Sequence, residues 1–196
     1  LYDNRDPLAC LARDLMTEVA CFKDRIEKEK TTISNRSLKL FTLSGIYQAT
    51  GALLDKTKNQ PINEDEKAFA SSFWAELTKT IPQWQQVIHT GVKSAEMRMG
   101  YVHVHNILLH SLGHMGHALI TEYPDEWIGR LQRLKDVDWS RSNTAVWEGR
   151  AMTGGKMSKA RQNVILTTVY LKQVLDLPLS PREEKAEMEF QAASQS

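Results

Sequence analysis

Five of the six histidines in this 196-residue chain fall between positions 103 and 117. His103, His110, His114 and His117 stand at offsets 0, 7, 11 and 14. On a helix advancing ~100° per residue they share a sector about 60° wide. Histidines four residues apart can hold a metal ion together. Here, however, Ser111 follows His110, so there is no HExxH, and no thiolate lies near. No metal site is assigned. The plainer reading is a polar helix face opposite Leu108, Leu112, Met115 and Leu119, with His105 among those apolar residues.

A second cluster carries charge. Residues 139–161 contain Arg141, Arg150, Lys156, Lys159 and Arg161 against one acid, Glu148, for a local charge of +4. Trp139 and Trp147 are interleaved, and Ser140, Ser142, Asn143 and Ser158 add small polar donors. Arg and Lys neutralise phosphates, and a helix starting near Ser158 would offer free N–H groups to an anion. Gly154-Gly155 permits close backbone approach. The combination suits a nucleic-acid backbone better than a small-molecule pocket. The competing reading places both tryptophans in the core and leaves the charges to solvate a loop. Residues 23–39 form a weaker cluster, six basic residues against three acids, in which no acid lies among Lys30, Arg36 and Lys39.

Catalytic patterns are missing from the sequence. Thr153-Gly154-Gly155-Lys156 lacks the spacing of a phosphate-binding P-loop. No GxSxG, paired-glycine nucleotide loop or carboxylate cluster occurs, and Asp138 and Glu148 are read as structural carboxylates. No catalytic residue and no cofactor is expected.

The elements that must position these residues are helical. Asp6-Pro7 reads as an N-cap followed by a first-turn proline, with Leu8, Leu11, Ala12, Leu15 and Val19 at helical spacing. Residues 22–26 could form a minor strand. Residues 34–37 offer caps for a helix carrying Leu38, Phe41, Ile46, Tyr47, Leu53 and Leu54. Asn63 and Glu66 form a capping box ahead of Phe69, Phe73, Trp74 and Leu77. Pro82 starts a short helix, residues 94–120 a long one bent at Gly100 or Gly113, and Pro124-Asp125 another. Val164, Thr168, Leu171 and Leu175 stripe a later helix, and Ser180-Pro181 with Glu183 opens an acidic last one. The expected fold is all-α or nearly so, a compact domain of roughly seven to nine helices over residues 1–196.

Bulk properties set limits. A net charge of +1 means that any nucleic-acid contact rests on local clusters. If Cys10 and Cys21 share the first helix, roughly 16 Å separates them, beyond the about 7 Å that a disulfide spans. They are read as reduced, buried thiols of a cytoplasmic protein, and no apolar run is long enough to cross a membrane. The chain opens on Leu1 and is expected to be the C-terminal part of a larger protein.

Four stretches in order carry a family resemblance. They are Leu1-Tyr2-Asp3-Asn4-Arg5-Asp6, residues 34–44 (Ser-Asn-Arg-Ser-Leu-Lys-Leu-Phe-Thr-Leu-Ser), Asp138-Trp139-Ser140-Arg141-Ser142-Asn143, and Trp147-Glu148-Gly149-Arg150-Ala151-Met152. Together they resemble the C-terminal half of the DndB family of bacterial DNA phosphorothioation (DNA sulfur modification) systems, within the wider DGQHR-domain family. The Asp-Gly-Gln-His-Arg motif of that wider family does not occur in the 196 residues. The resemblance implies a DNA-binding transcriptional regulator of the modification gene cluster. Its partners would be promoter double-stranded DNA and other DNA-modification proteins. It directs attention to Arg36, Arg141, Asn143, Glu148 and Arg150. Combined with the charge pattern, the expected DNA contacts are Arg36, Lys39, Arg141, Asn143, Arg150, Lys156, Lys159 and Arg161. Arg141 and Asn143 suit guanine and adenine edges, and Glu148 is expected to orient Arg150 or Arg141 through an ion pair. A helical scaffold for partner proteins, or part of an enzyme completed by an upstream half, are the alternatives.

Overall fold

Asp6 begins the first helix as its residue type requires. Its carboxylate accepts the Leu8 N–H at 3.2 Å, and Pro7 occupies the first turn of α1 (Pro7–Glu18). The same buried side chain accepts the Tyr47 hydroxyl at 3.0 Å and the Asn59 N–H at 3.0 Å, tying α1 to the next helix and its following loop. The computed structural model describes residues 3–34 and 36–194. Leu1, Tyr2 and Asn35, which belong to two of the motif stretches, lie outside the described residues.

Ten α-helices and one 3-10 helix follow one another among the described residues. They are α1, α2 (Leu43–Leu54), α3 (Glu64–Thr80), α4 (Pro82–His89), α5 (Ser94–Gly100), α6 (Asn106–Glu122) and α7 (Trp127–Leu131), then α8 (Thr144–Trp147), α9 (Arg161–Val174) and α10 (Pro181–Ser194), with the 3-10 turn at Gln132–Asp136. Strands are minimal. β1 (Ile26–Glu27) pairs in parallel with β2 (Phe41–Thr42), and β3 (Met152–Thr153) pairs antiparallel with β4 (Lys156–Met157). No helix of the described residues is long and apolar enough to cross a membrane.

Several starts follow the sequence closely. Asn63 and Glu66 exchange both capping-box hydrogen bonds, and Ser180 and Glu183 do the same ahead of α10. Two expectations need correction. The helix expected from residues 34–37 begins only at Leu43, because Thr42 takes the N-cap by accepting the Gly45 N–H, and Leu38 is left exposed. The long helix over 94–120 is two helices, α5 and α6, separated at residues 101–105, and it does not bend at Gly113. Cys10 lies on α1, whereas buried Cys21 lies beyond its end.

The core is built around α6. Leu108, Leu112, Met115 and Leu119 are fully buried, as are Ile46, Ala49 and Leu53 of α2 and Phe73, Trp74 and Leu77 of α3. Each of the large aliphatic side chains among them contributes about 1.5–3 kcal/mol by leaving water. The closest approach is between α2 and α6. A Cβ on Gly113 would overlap the Ala49 carbonyl, and one on Gly45 would lie 2.5 Å from the Asn106 Oδ1. That Asn106 side chain donates to the Thr42 hydroxyl at 2.8 Å and accepts the Thr42 N–H at 3.3 Å, fixing the start of α2 against the start of α6.

Gly113→Ala must therefore push α6 off α2. Urea denaturation should show a loss of about 2–3 kcal/mol. Gly100→Ala, where a Cβ meets nothing within 4 Å, should be neutral or stabilising by about 0.5 kcal/mol.

Candidate nucleic-acid interface

The break between α5 and α6 creates the site. Across it, the Val102 N–H donates to the Trp139 carbonyl at 3.0 Å, and the Arg141 N–H donates to the Gly100 carbonyl at 2.9 Å. This pairing carries Arg141 to the α6 N-terminus. Its guanidinium donates to the carbonyls of Arg98 (3.3 Å) and Gly155 (2.9 Å). Arg98 is itself buried and donates to the carbonyls of Ser34, Ser37 and Lys39, pinning the 34–39 loop. His105 shares the Arg98 carbonyl at 3.0 Å, so its Nε2 carries the proton.

Residues 148–163 are fixed just as firmly. Gly154 and Gly155, at φ of 58° and 72°, make a two-residue turn between β3 and β4 that residues with a Cβ seldom form. The Glu148 carboxylate accepts both of their N–H groups. The Asn163 amide donates to the Arg150 carbonyl at 2.6 Å, and its oxygen accepts from the Ser158 hydroxyl at 2.7 Å. The hairpin is thereby locked to the start of α9.

These constraints form a groove. One part, a cleft of about 380 Å³, is lined by Arg98, Arg141, Lys156 and Lys159 together with the apolar Leu40, Val104 and Ile107. Lys159, Asn106 and Ile107 also line an adjoining hollow that reaches His110, and Lys159 and His110 continue into a third with His114, Arg161 and Arg182. Among the described residues no aspartate or glutamate lines any of these three hollows. Among the described residues no carboxylate pairs with Lys156, Lys159, Arg161 or Arg182. Residues at the first turns of both α6 and α9 line the groove, and neither helix has a side-chain N-cap hydrogen bond. Their positive dipole ends add to the field there.

Of the expected contacts, Arg141, Lys156, Lys159 and Arg161 come together in the groove. Arg36 is exposed and lines none of these hollows, and Lys39 donates to the Asp24 carbonyl at 3.0 Å beside a separate hollow. The Asn143 amide donates to the Asp138 carbonyl within its own turn. Arg150 is a correction. It is only 5% exposed, and both terminal nitrogens bond the Glu187 carboxylate, at 2.8 and 2.7 Å, so it cannot present its charge to a phosphate. Glu148 is another, because it binds the glycine amides of the hairpin rather than pairing with Arg150 or Arg141.

The tryptophans of this segment are core. Trp139 and Trp147 stack at 5.6 Å, and the Trp147 indole donates to the Asp138 carbonyl at 2.9 Å. Of the four histidines expected on one face, His110, His114 and His117 share a face of α6 and His103 does not. His103 precedes α6 and is buried among Trp84, Tyr101 and Trp139, bonded to Gln83 at 2.8 Å. His110 and His114 sit together on the groove wall with ring centres 4.7 Å apart. Sequence reasoning missed Arg98, hidden in a presumed continuous helix, and Arg182, which stands in an acidic run. The only signal for Arg182 was its place at the start of the helix after Ser180-Pro181.

A family model described as DndB, DNA-sulfur modification-associated, matches residues 1–178. The chain belongs to the DndB family. Membership links it to DNA sulfur modification, and each of the four ordered motif stretches has a structural role, residues 34–44 supplying β2, the Thr42 cap and the carbonyls that hold Arg98. The Asp3–Asp6 stretch supplies the Asp6 tie, residues 138–143 the strand-like pairing beside α5, and residues 147–152 the base of the hairpin. A search of curated proteins returned no match, and neither did a search of solved structures.

Burial sets how this region responds to acid. Desolvation lowers His103 to about 3 and, with help from Arg141, Arg98 and Lys159, His105 to about 4. His110 also falls to about 4, by burial and then by its neighbour His114. All three fold neutral, whereas the unfolded chain takes up protons near pH ~6.5. Stability is therefore complete above pH ~6.5 and declines as pH falls toward about 4. Urea midpoints should drop steadily from pH 7.5 through 6 to 5. A midpoint that stays constant across that window would contradict the burial of these rings.

Proposed function

We propose that this chain binds duplex DNA along the acid-free groove and acts as a DNA-binding transcriptional regulator of a DNA sulfur-modification gene cluster. One observation carries the reading. On a molecule of net charge +1, six cationic side chains line three adjoining hollows that no carboxylate of the described residues lines, the nearest being Asp55 in the next hollow beyond His110 and His114. Opposite charges elsewhere, such as Glu64–Lys67 and Glu76–Lys79, are paired on the surface. Segregation of this kind leaves a local field that attracts polyanions even when the total charge is near neutral. Family membership supplies the DNA context.

The side chains fall into two roles. Lys156, Lys159, Arg161 and Arg182 are exposed and suit phosphate oxygens, which fix position and affinity without reading sequence. Arg141 is half-buried and partly committed to carbonyls, so it shapes the cleft and offers only its remaining N–H groups. Asn143 is turned into its own loop, and adenine readout through it is withdrawn. The groove therefore contributes backbone contact, and the dependence of binding on salt is its signature.

Fluorescence anisotropy of labelled duplex DNA across a salt series tests this. The wild-type chain should bind with a log–log salt slope of about −3 to −4, as expected for roughly four phosphate contacts. A folded Lys156→Ala/Lys159→Ala/Arg161→Ala variant should bind far more weakly, with the slope reduced by about 2–3. Absence of binding at low salt, or an unchanged variant, would overturn the reading.

A further inference from the structure

The last helix, α10, begins beyond the matched residues 1–178 and buries only Ala186 completely. It is held mainly by polar contacts. Glu183 pairs with buried Lys172 at 2.8 Å. Glu187 takes both terminal nitrogens of Arg150, which keeps its carboxyl below the usual range, and the Arg150 guanidinium lies 4.5 Å from the Phe190 ring centre. Gly149 makes room for that ring. Its φ is 78°, and a Cβ there would come within 2.6 Å of Phe190.

Arg150 connects this anchor to the groove. One of its terminal nitrogens also donates to the Leu166 carbonyl of α9 at 2.9 Å. Its own carbonyl accepts from Asn163, whose oxygen accepts from Ser158. On either side, the Gly149 N–H donates to Met152 at 2.7 Å and the Ser158 N–H to Ala151 at 3.0 Å, closing the base of the β3–β4 hairpin. That hairpin carries Lys156 and leads to Lys159. A contiguous set of bonds thus runs from Glu187 to the groove cations.

We propose that Glu187 and Arg150 are positioning residues, through which the seating of α10 fixes the hairpin and so sets the affinity of the groove for DNA. The inference rests on the DNA reading of the groove. It makes a prediction opposite in sign to simple electrostatics. Glu187→Gln removes a negative charge, which by Coulomb attraction alone would tighten DNA binding. Loss of the clamp loosens the hairpin and weakens binding instead.

The test measures duplex binding by anisotropy and amide hydrogen exchange by mass spectrometry on the same proteins. Glu187→Gln should bind about fivefold more weakly, the size of effect a packed network transmits. Exchange at residues 152–157 should be faster, with residues 108–115 of α6 unchanged. Glu189→Gln, an exposed carboxylate on the same helix, should bind as tightly as wild type or tighter. Arg150→Met/Glu187→Leu replaces the pair with apolar packing, which can keep such a contact intact, and should restore hairpin protection and binding.

Equal or tighter binding by Glu187→Gln with unchanged hairpin exchange would overturn the proposal, as would loss of binding in a folded double variant. If wild type itself does not bind, the groove reading fails. Hairpin exchange then decides the clamp alone: faster exchange in Glu187→Gln supports it, and unchanged exchange overturns it.

Discussion

The contact of α6 with the backbone of α2 at Gly113 and Ala49 governs where every groove residue can stand. Helices separated by ordinary side chains pack with axes about 8–10 Å apart, and a glycine against a carbonyl allows less. Gly45 extends the same economy of space to the first turn, where it admits the Asn106 side chain that caps the strand-to-helix corner at Thr42. With α2 and α6 so close, the α6 N-terminus and the exposed Gln48 of α2 form one wall. The α9 start, packed on α6 and bonded to it through Ser111 and Val164, supplies the other.

Charge is then placed by backbone constraints more than by ion pairs. Arg98 and Arg141 are held by carbonyl oxygens, which leaves their charge uncompensated by acids. Lys156 is delivered by a glycine turn whose N–H groups donate to Glu148, so the one carboxylate of residues 139–161 is bonded to the hairpin and does not line the groove. The half-buried acid Glu187 pairs with Arg150 at the base of the hairpin and neutralises it. The basic excess of residues 139–161 is thus sorted spatially: one cation is buried and paired, and the others open to the groove.

Much of this was legible in the residues. Helix starts at Asp6-Pro7, Asn63 and Ser180 followed directly from capping chemistry, which is local and therefore readable. The four cations Arg141, Lys156, Lys159 and Arg161 were found because they crowd a short stretch. Arg98 and Arg182 were not, because they reach the groove only through the tertiary pairing of residues 100–102 with 139–141 and the wrap of α10 over α9. Arg150 was misread for a related reason, since its acid partner stands 37 residues further on. The histidines misled through periodicity. The face common to His110, His114 and His117 holds on α6, but His103 joins it only on a continuous helix, and the chain breaks at residues 101–105 to bury His103 beside Trp139.

The central claim, that the groove is the DNA-facing surface, is tested most directly by lysine acetylation read by mass spectrometry with and without duplex DNA. The account predicts that DNA protects Lys156 and Lys159, while Lys79, exposed on α3 and lining none of these hollows, reacts as before. Equal reactivity of Lys156 and Lys159 in a demonstrated DNA complex, or protection confined to lysines outside the groove, would contradict it.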